Sequence, residues 1–133
     1  MAAVPSLIPR AWDDEALDAL HRPAANPFGP LNSARGTFHG AQLFEFIEGG
    51  QRALLALRPL NFDGGRRIDV VGLASLGDRL QAESLRAALD DLALRDGADM
   101  LAMCTIYPHL ARACQRMGWA ETGRVLTKKL KVH

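Results

Sequence analysis

The sequence predicts an α/β domain whose sheet begins antiparallel. Three observations point there: a Gly49-Gly50 pair between two β-like runs, a helical repeat from Leu80 to Asp96, and alternation of strand and helix after it. With 133 residues, 48% of them hydrophobic, the chain has material for one core, so a single domain over 1–133 is expected. Residues 1–41 form its N-terminal helix and loop, and 42–133 its sheet half.

Pro5 and Pro9 favour an extended arm or first strand at the start, because proline fixes φ and removes a donor. Asp13 or Asp14 then caps a short helix with Leu17 and Leu20 on one face, ended by Pro23. From Pro23 to Gly40 the prolines and glycines predict loop, of a length that is often functional. QLFEFIE and QRALLALR, joined by Gly49-Gly50, read as a two-residue hairpin. The wholly apolar ALLAL marks an interior strand.

After the turn NFDGG, the β-branched run RIDVVGLAS predicts a third strand. Leu85, Ala88, Leu89 and Leu92 give the following helix its apolar face, and Gly97 its stop. DMLAMCT is strand-like, and Pro108 suits the first turn of a helix through Met117 that Gly118 ends. WAETGRVLTKKL predicts two short strands or one bent strand around Gly123.

Charge excludes some partners. Sixteen basic residues against fifteen acidic ones leave a formal net charge of +1, so no long-range field draws nucleic acid. Lys128, Lys129 and Lys131 read as a solvated end. Cys104 and Cys114 lack metal or redox spacing and are expected to be small buried hydrophobes in a reducing compartment. Neither a secretory pattern nor an apolar run of about 20 residues is present, which predicts a cytoplasmic protein without a membrane partner.

The segment ARACQRMGWAETGRVLTKKL resembles the end of GNAT-superfamily N-acetyltransferases through Gly118, Trp119, Glu121, Gly123 and Arg124. The resemblance extends weakly back to Gln42. It implies a GNAT-like fold, a mixed and mostly antiparallel sheet flanked by helices. Size and the segment from Asp69 to Leu130 are also similar to short GNAT-like proteins of bacteriophages with a degenerate cofactor loop.

In that family an Arg/Gln-x-x-Gly-x-Gly/Ala loop follows the strand that splays open, and its amides cradle the coenzyme A pyrophosphate at a helix N-terminus. Aligned here, the strand ends near Ser75, and Arg79, Ala82 and Ser84 occupy the positions of the Arg and the two glycines. Ala and Ser are small, and a hydroxyl can donate to phosphate, but Glu83 adds an unfavourable charge between them. The alternative is a helix capped by Asp78 that binds nothing.

Acyl transfer to an amine needs a base, an oxyanion-stabilising N–H and an acid for the leaving thiolate. The family's Tyr acid falls on Cys114 by position, with Tyr107 or His109 as substitutes nearby. Asp69, inside an apolar strand, leads the candidate bases over Glu45 and Glu48, and His39 is a candidate for the acceptor side. Walker, nucleophile-elbow, zinc-helix and metal-cysteine patterns are missing, so no metal is expected. Two functions follow from the resemblance: an acetyl-coenzyme A dependent N-acyltransferase with an unidentified amine acceptor, or a catalytically inactive GNAT-fold binding or structural protein, such as a phage virion or accessory component. An apolar edge at the final strand offers a surface for a homo-oligomer or for virion assembly.

Overall fold

The computed structural model describes residues 7–20, 34–76, 82–105 and 108–131. Strand β1 (Leu7–Arg10) leads into helix α1 (Asp14–Leu20). Asp13 caps α1, accepting the Ala16 amide on Oδ1 at 2.8 Å, as a short acceptor beside unpaired first-turn amides should. A short helix α2 (Ala34–Thr37) stands in the second half of the stretch expected to be loop. The first half of that stretch lies outside the described residues.

The predicted hairpin is present as β2 (Gln42–Glu48) and β3 (Gln51–Phe62), joined through Gly49 at φ 58°, a left-handed value that glycine adopts without a steric penalty. Strand β3 runs on through Pro59. That is tolerable because the β2 ladder ends at Gln42 opposite Leu57, leaving one flank of β3 without a strand at Pro59. Strand β4 (Gly65–Ser75), helix α3 (Ala82–Arg95), strand β5 (Met100–Met103) and helix α4 (Pro108–Arg116) complete the described elements.

The sheet order is β1-β2-β3-β4-β5, antiparallel until β5, which joins β4 in parallel. Return of β5 in the same direction as β4 requires a crossover, and α3 supplies it. Strands β2, β4 and β5 therefore finish at one end of the sheet. Helices α3 and α4 begin near that end.

Both faces of the sheet are covered. On one, Phe44, Phe46, Ala53, Leu55, Leu57, Ile68 and Val70 pack with Leu85, Ala88, Leu89 and Ala93 of α3. On the other, Leu43, Leu54, Ala56 and Ala74 pack with Ala16 and Leu20 of α1 and with Phe38. This two-sided burial explains why ALLAL is apolar at every position, since odd and even residues feed different cores. Trp12 stacks on Phe38 with centroids 5.2 Å apart, and its indole N–H donates to the Ala41 carbonyl at 3.0 Å. Arg58 donates to the Thr37 and His39 carbonyls at 2.6 and 3.0 Å, tying the end of α2 to the sheet.

Both later helices stop by one device. The Ala98 amide bonds Ala93 O and the Gly97 amide bonds Leu94 O, while the Trp119 amide bonds Cys114 O and the Gly118 amide bonds Gln115 O. Gly97 and Gly118 have φ of 78° and 95°, as the Schellman arrangement requires.

Two expectations are corrected. Residues 119–131 form no strand, and 121–131 are all exposed; a strand needs a ladder partner, and among the described residues this segment has none. Cys104 is exposed because it follows the last ladder residue of the outermost strand, whereas Cys114 is buried as expected.

Candidate functional site

Strand β4 carries the one register shift in its ladder with β3: Leu57 faces Val70 and Ala56 faces Gly72, so Val71 is extra. A bulge of this kind leaves a residue outside regular pairing and increases local twist. Gly72 is needed beside it. A Cβ there would stand 3.0 Å from Phe38 Cε1 and 3.3 Å from a Leu20 methyl.

The parallel ladder between β4 and β5 ends with Val70 opposite Met103, immediately before the bulge. Strand β4 continues from Val71 to Ser75, roughly 16 Å at about 3.3 Å per residue. Among the described residues that length has no β5 partner, because β5 itself stops at Met103; the place where β4 runs on and the chain leaves β5 is the fork. A fork of this kind presents backbone donors and acceptors of a strand edge to whatever enters it.

The candidate residues distribute unevenly about this fork. Ser75 closes β4 and is exposed, Ser84 sits half-buried in the first turn of α3, and His109 is exposed in the first turn of α4. Together with Glu48 at the end of β2, these lie toward the end of the sheet where the fork opens. Ala82 opens α3. Arg79 and Tyr107 lie outside the described residues, as does Asp78.

Asp69 sits within the paired part of the ladder, opposite Ala102 of β5 and Arg58 of β3. Both its carboxylate oxygens are held by Arg67, at 2.6 and 3.0 Å, and the pairing raises the Arg67 pKa above the ordinary arginine value. A carboxylate gripped in two charge-assisted bonds has both oxygens engaged. Cys114 lies two turns into α4; burial pushes its thiol pKa up and its carbonyl ends the helix. Such a thiol keeps its proton at neutral pH.

Glu83, expected to oppose an anion, is instead paired with Arg86, which also holds Asp90 at 3.1 Å. The hydrogen bond from Arg86 lowers the Glu83 pKa. Glu45 is bound by Arg52 and lies 3.9 Å from Arg10. Glu48, by contrast, has one buried carboxylate oxygen without a hydrogen-bond partner among the described residues. His39 is exposed at the end of the turn after α2.

The residues by themselves carry no signal for the bulge, whereas an opening beside this strand is what the resemblance implies. Val71 and Gly72 look like ordinary strand residues, and only the register with β3 reveals that one is extra. A second cleft of about 760 Å³ lies at the C-terminal end of β5, between Met103 to Thr105, α4 and residues 119–125. Among the described residues, no three His, Cys, Asp or Glu side chains converge as metal ligands do, and no helix is long and apolar enough to cross a membrane.

No family model matches the chain, and no curated protein or solved structure shows significant similarity to it.

Proposed function

We propose that the chain is a GNAT-like N-acyltransferase that binds acetyl-coenzyme A across the fork between β4 and β5 and transfers the acyl group to an amine. The observation that carries this reading is the bulge together with an open edge: β5 stops where the bulge in β4 begins, β4 runs on without a β5 partner among the described residues, and α3 begins near the same end. In this reading the free β4 edge receives the amide-bearing arm of the coenzyme by strand-like hydrogen bonds. A backbone N–H at Val71 or Gly72 stabilises the oxyanion. The first turn of α3, with Ser84, receives the pyrophosphate, and the Glu83–Arg86 pair removes the repulsion that a lone Glu83 would exert. Arg79 and Ala82 complete the loop and Ser75 flanks it. Glu48 is a better-placed base than Asp69, because Arg67 already occupies Asp69. His109, in the first turn of α4, is the candidate acid, with Tyr107 two residues before it in sequence.

The second reading, a GNAT-fold binding or structural protein without catalysis, is favoured by Cys114. In the position the resemblance gives to the acid stands a buried thiol whose pKa is raised. Virion assembly and cytoplasmic residence belong with these readings as further proposals.

Thermal unfolding with excess acetyl-coenzyme A separates the two. Ligand at ~100 times its dissociation constant adds about 2.7 kcal/mol to stability, a clear rise in midpoint. Ser84→Trp should remove the rise while leaving the unliganded midpoint close to its original value. An unchanged midpoint with the coenzyme would eliminate the transferase reading.

A further inference from the structure

Helix α4 turns one face to the cleft of about 760 Å³ at the C-terminal end of β5. Pro108, Ala111, Arg112 and Gln115 all line it, at the i, i+3, i+4, i+7 spacing of a single helical stripe. Met103 and Trp119 add apolar wall, and both also pack against the core cluster that α3 covers. Trp119 is further fixed by its place just after the helix stop, where its amide donates to the Cys114 carbonyl at 3.0 Å. An indole anchored at its back and at its backbone is a preformed surface, so a flat ligand laid on it orders little else. Ala111 leaves the room beside it.

Charge narrows the ligand. On α3, Arg86 and Arg95 hold carboxylates of their own helix. Helix α4, PHLARACQR, contains no acid, and among the described residues the exposed Arg112 has no carboxylate partner. The other charges lining the cleft, Glu121 and Arg124, lie 3.6 Å apart and offset each other, so the lining is left with the positive charge of Arg112. A guanidinium donates two parallel N–H bonds to a carboxylate.

We propose that this cleft binds a small aromatic carboxylate, with its ring against Trp119 and Met103 and its carboxylate on Arg112. Gln115, about one turn further along the same stripe, adds a neutral donor. The cleft volume lies within the roughly 300–1,000 Å³ of small-molecule sites, which fits a ligand of this size. Binding here does not depend on acyl transfer.

Titration of the full chain with benzoate, followed through its two tryptophan indole N–H signals by nuclear magnetic resonance, tests this. Trp12 packs on the opposite face of the sheet with its N–H on the Ala41 carbonyl, and serves as the internal reference. The Trp119 signal should move saturably while that of Trp12 stays. Benzyl alcohol, a ring without the charge, and acetate, the charge without a ring, should each bind at least about tenfold more weakly. Arg112→Gln should bring benzoate down to the level of benzyl alcohol, whereas Arg116→Gln, on the same helix but outside the cleft, should leave it unchanged. Ala111→Leu should fill the space and remove the shift while circular dichroism stays native. The titration contains no coenzyme, so its result is separate from that of the acetyl-coenzyme A experiment. Absence of a saturable Trp119 shift overturns the inference. So does benzoate affinity that survives Arg112→Gln, or acetate binding as tightly as benzoate, which would leave only an exposed cation.

Discussion

Asp13 shows how one side chain couples the start of the sheet to the first helix. It accepts the Ala16 amide and pairs with Arg10 of β1 at 3.0 Å. The Ala16 amide is the larger cause of its lowered pKa, and the Arg10 hydrogen bond adds to it. A carboxyl depressed in the fold stabilises the native state fully above its unfolded value, near ~3.9, and that contribution is lost as pH falls through the lower folded value. Asp13→Asn keeps a capping side chain but has no charge to titrate. Its melting temperature should therefore lie below that of the parent at neutral pH, and the two should converge in acid. A gap that stays constant down to pH 2 would show that the charge is irrelevant there. The cap was legible beforehand as Asp13 or Asp14, since a cap is a local matter of one short acceptor and three following amides, whereas the pairing with Arg10 was not.

At the level of elements, the bulge in β4 is the feature on which the fork depends. Val71 is the extra residue between Val70, opposite Leu57, and Gly72, opposite Ala56, and Phe38 and Leu20 close over Gly72. Gly72→Ala forces a methyl group against the Phe38 ring edge, where overpacking costs about 1–3 kcal/mol. Pairing it with Phe38→Leu should recover part of that loss, measured as non-additivity in urea unfolding. Strict additivity would mean that the ring and the glycine do not meet. Gly97 and Gly118 were readable as helix stops because the Schellman motif is contained within six residues. The bulge was unreadable, because it is a relation between two strands rather than a property of either. The strand expected after Trp119 failed for a related reason: alternation and Gly123 describe a capacity to pair, while pairing needs a neighbour.

Among the described residues the molecule is one sheet between two apolar layers, and Phe46 is the largest side chain with no exposure. Phe46→Ala should cost about 3–5 kcal/mol, read as a lower denaturant midpoint at unchanged m-value. A cost below 1 kcal/mol would mean that the α3 face is not the principal core. The hairpin, helices α1, α3 and α4, the glycine stops of α3 and α4 and the α/β class were legible in the sequence alone, since periodicity, caps and glycines act over a few residues; α2, in a stretch read as loop, was not. The placement of the candidate site was not. Asp69 reads in sequence as a free acid in an apolar strand, yet Arg67 two residues away on the same face holds it; Glu48, an ordinary alternating acid, keeps an unengaged oxygen. Cys104 reads as core and is exposed. Which strand ends lie together, where β4 and β5 part, and which charges neutralise one another were decided only by tertiary structure. Those properties depend on register and on distances between residues far apart in the chain, and a local pattern carries no record of either.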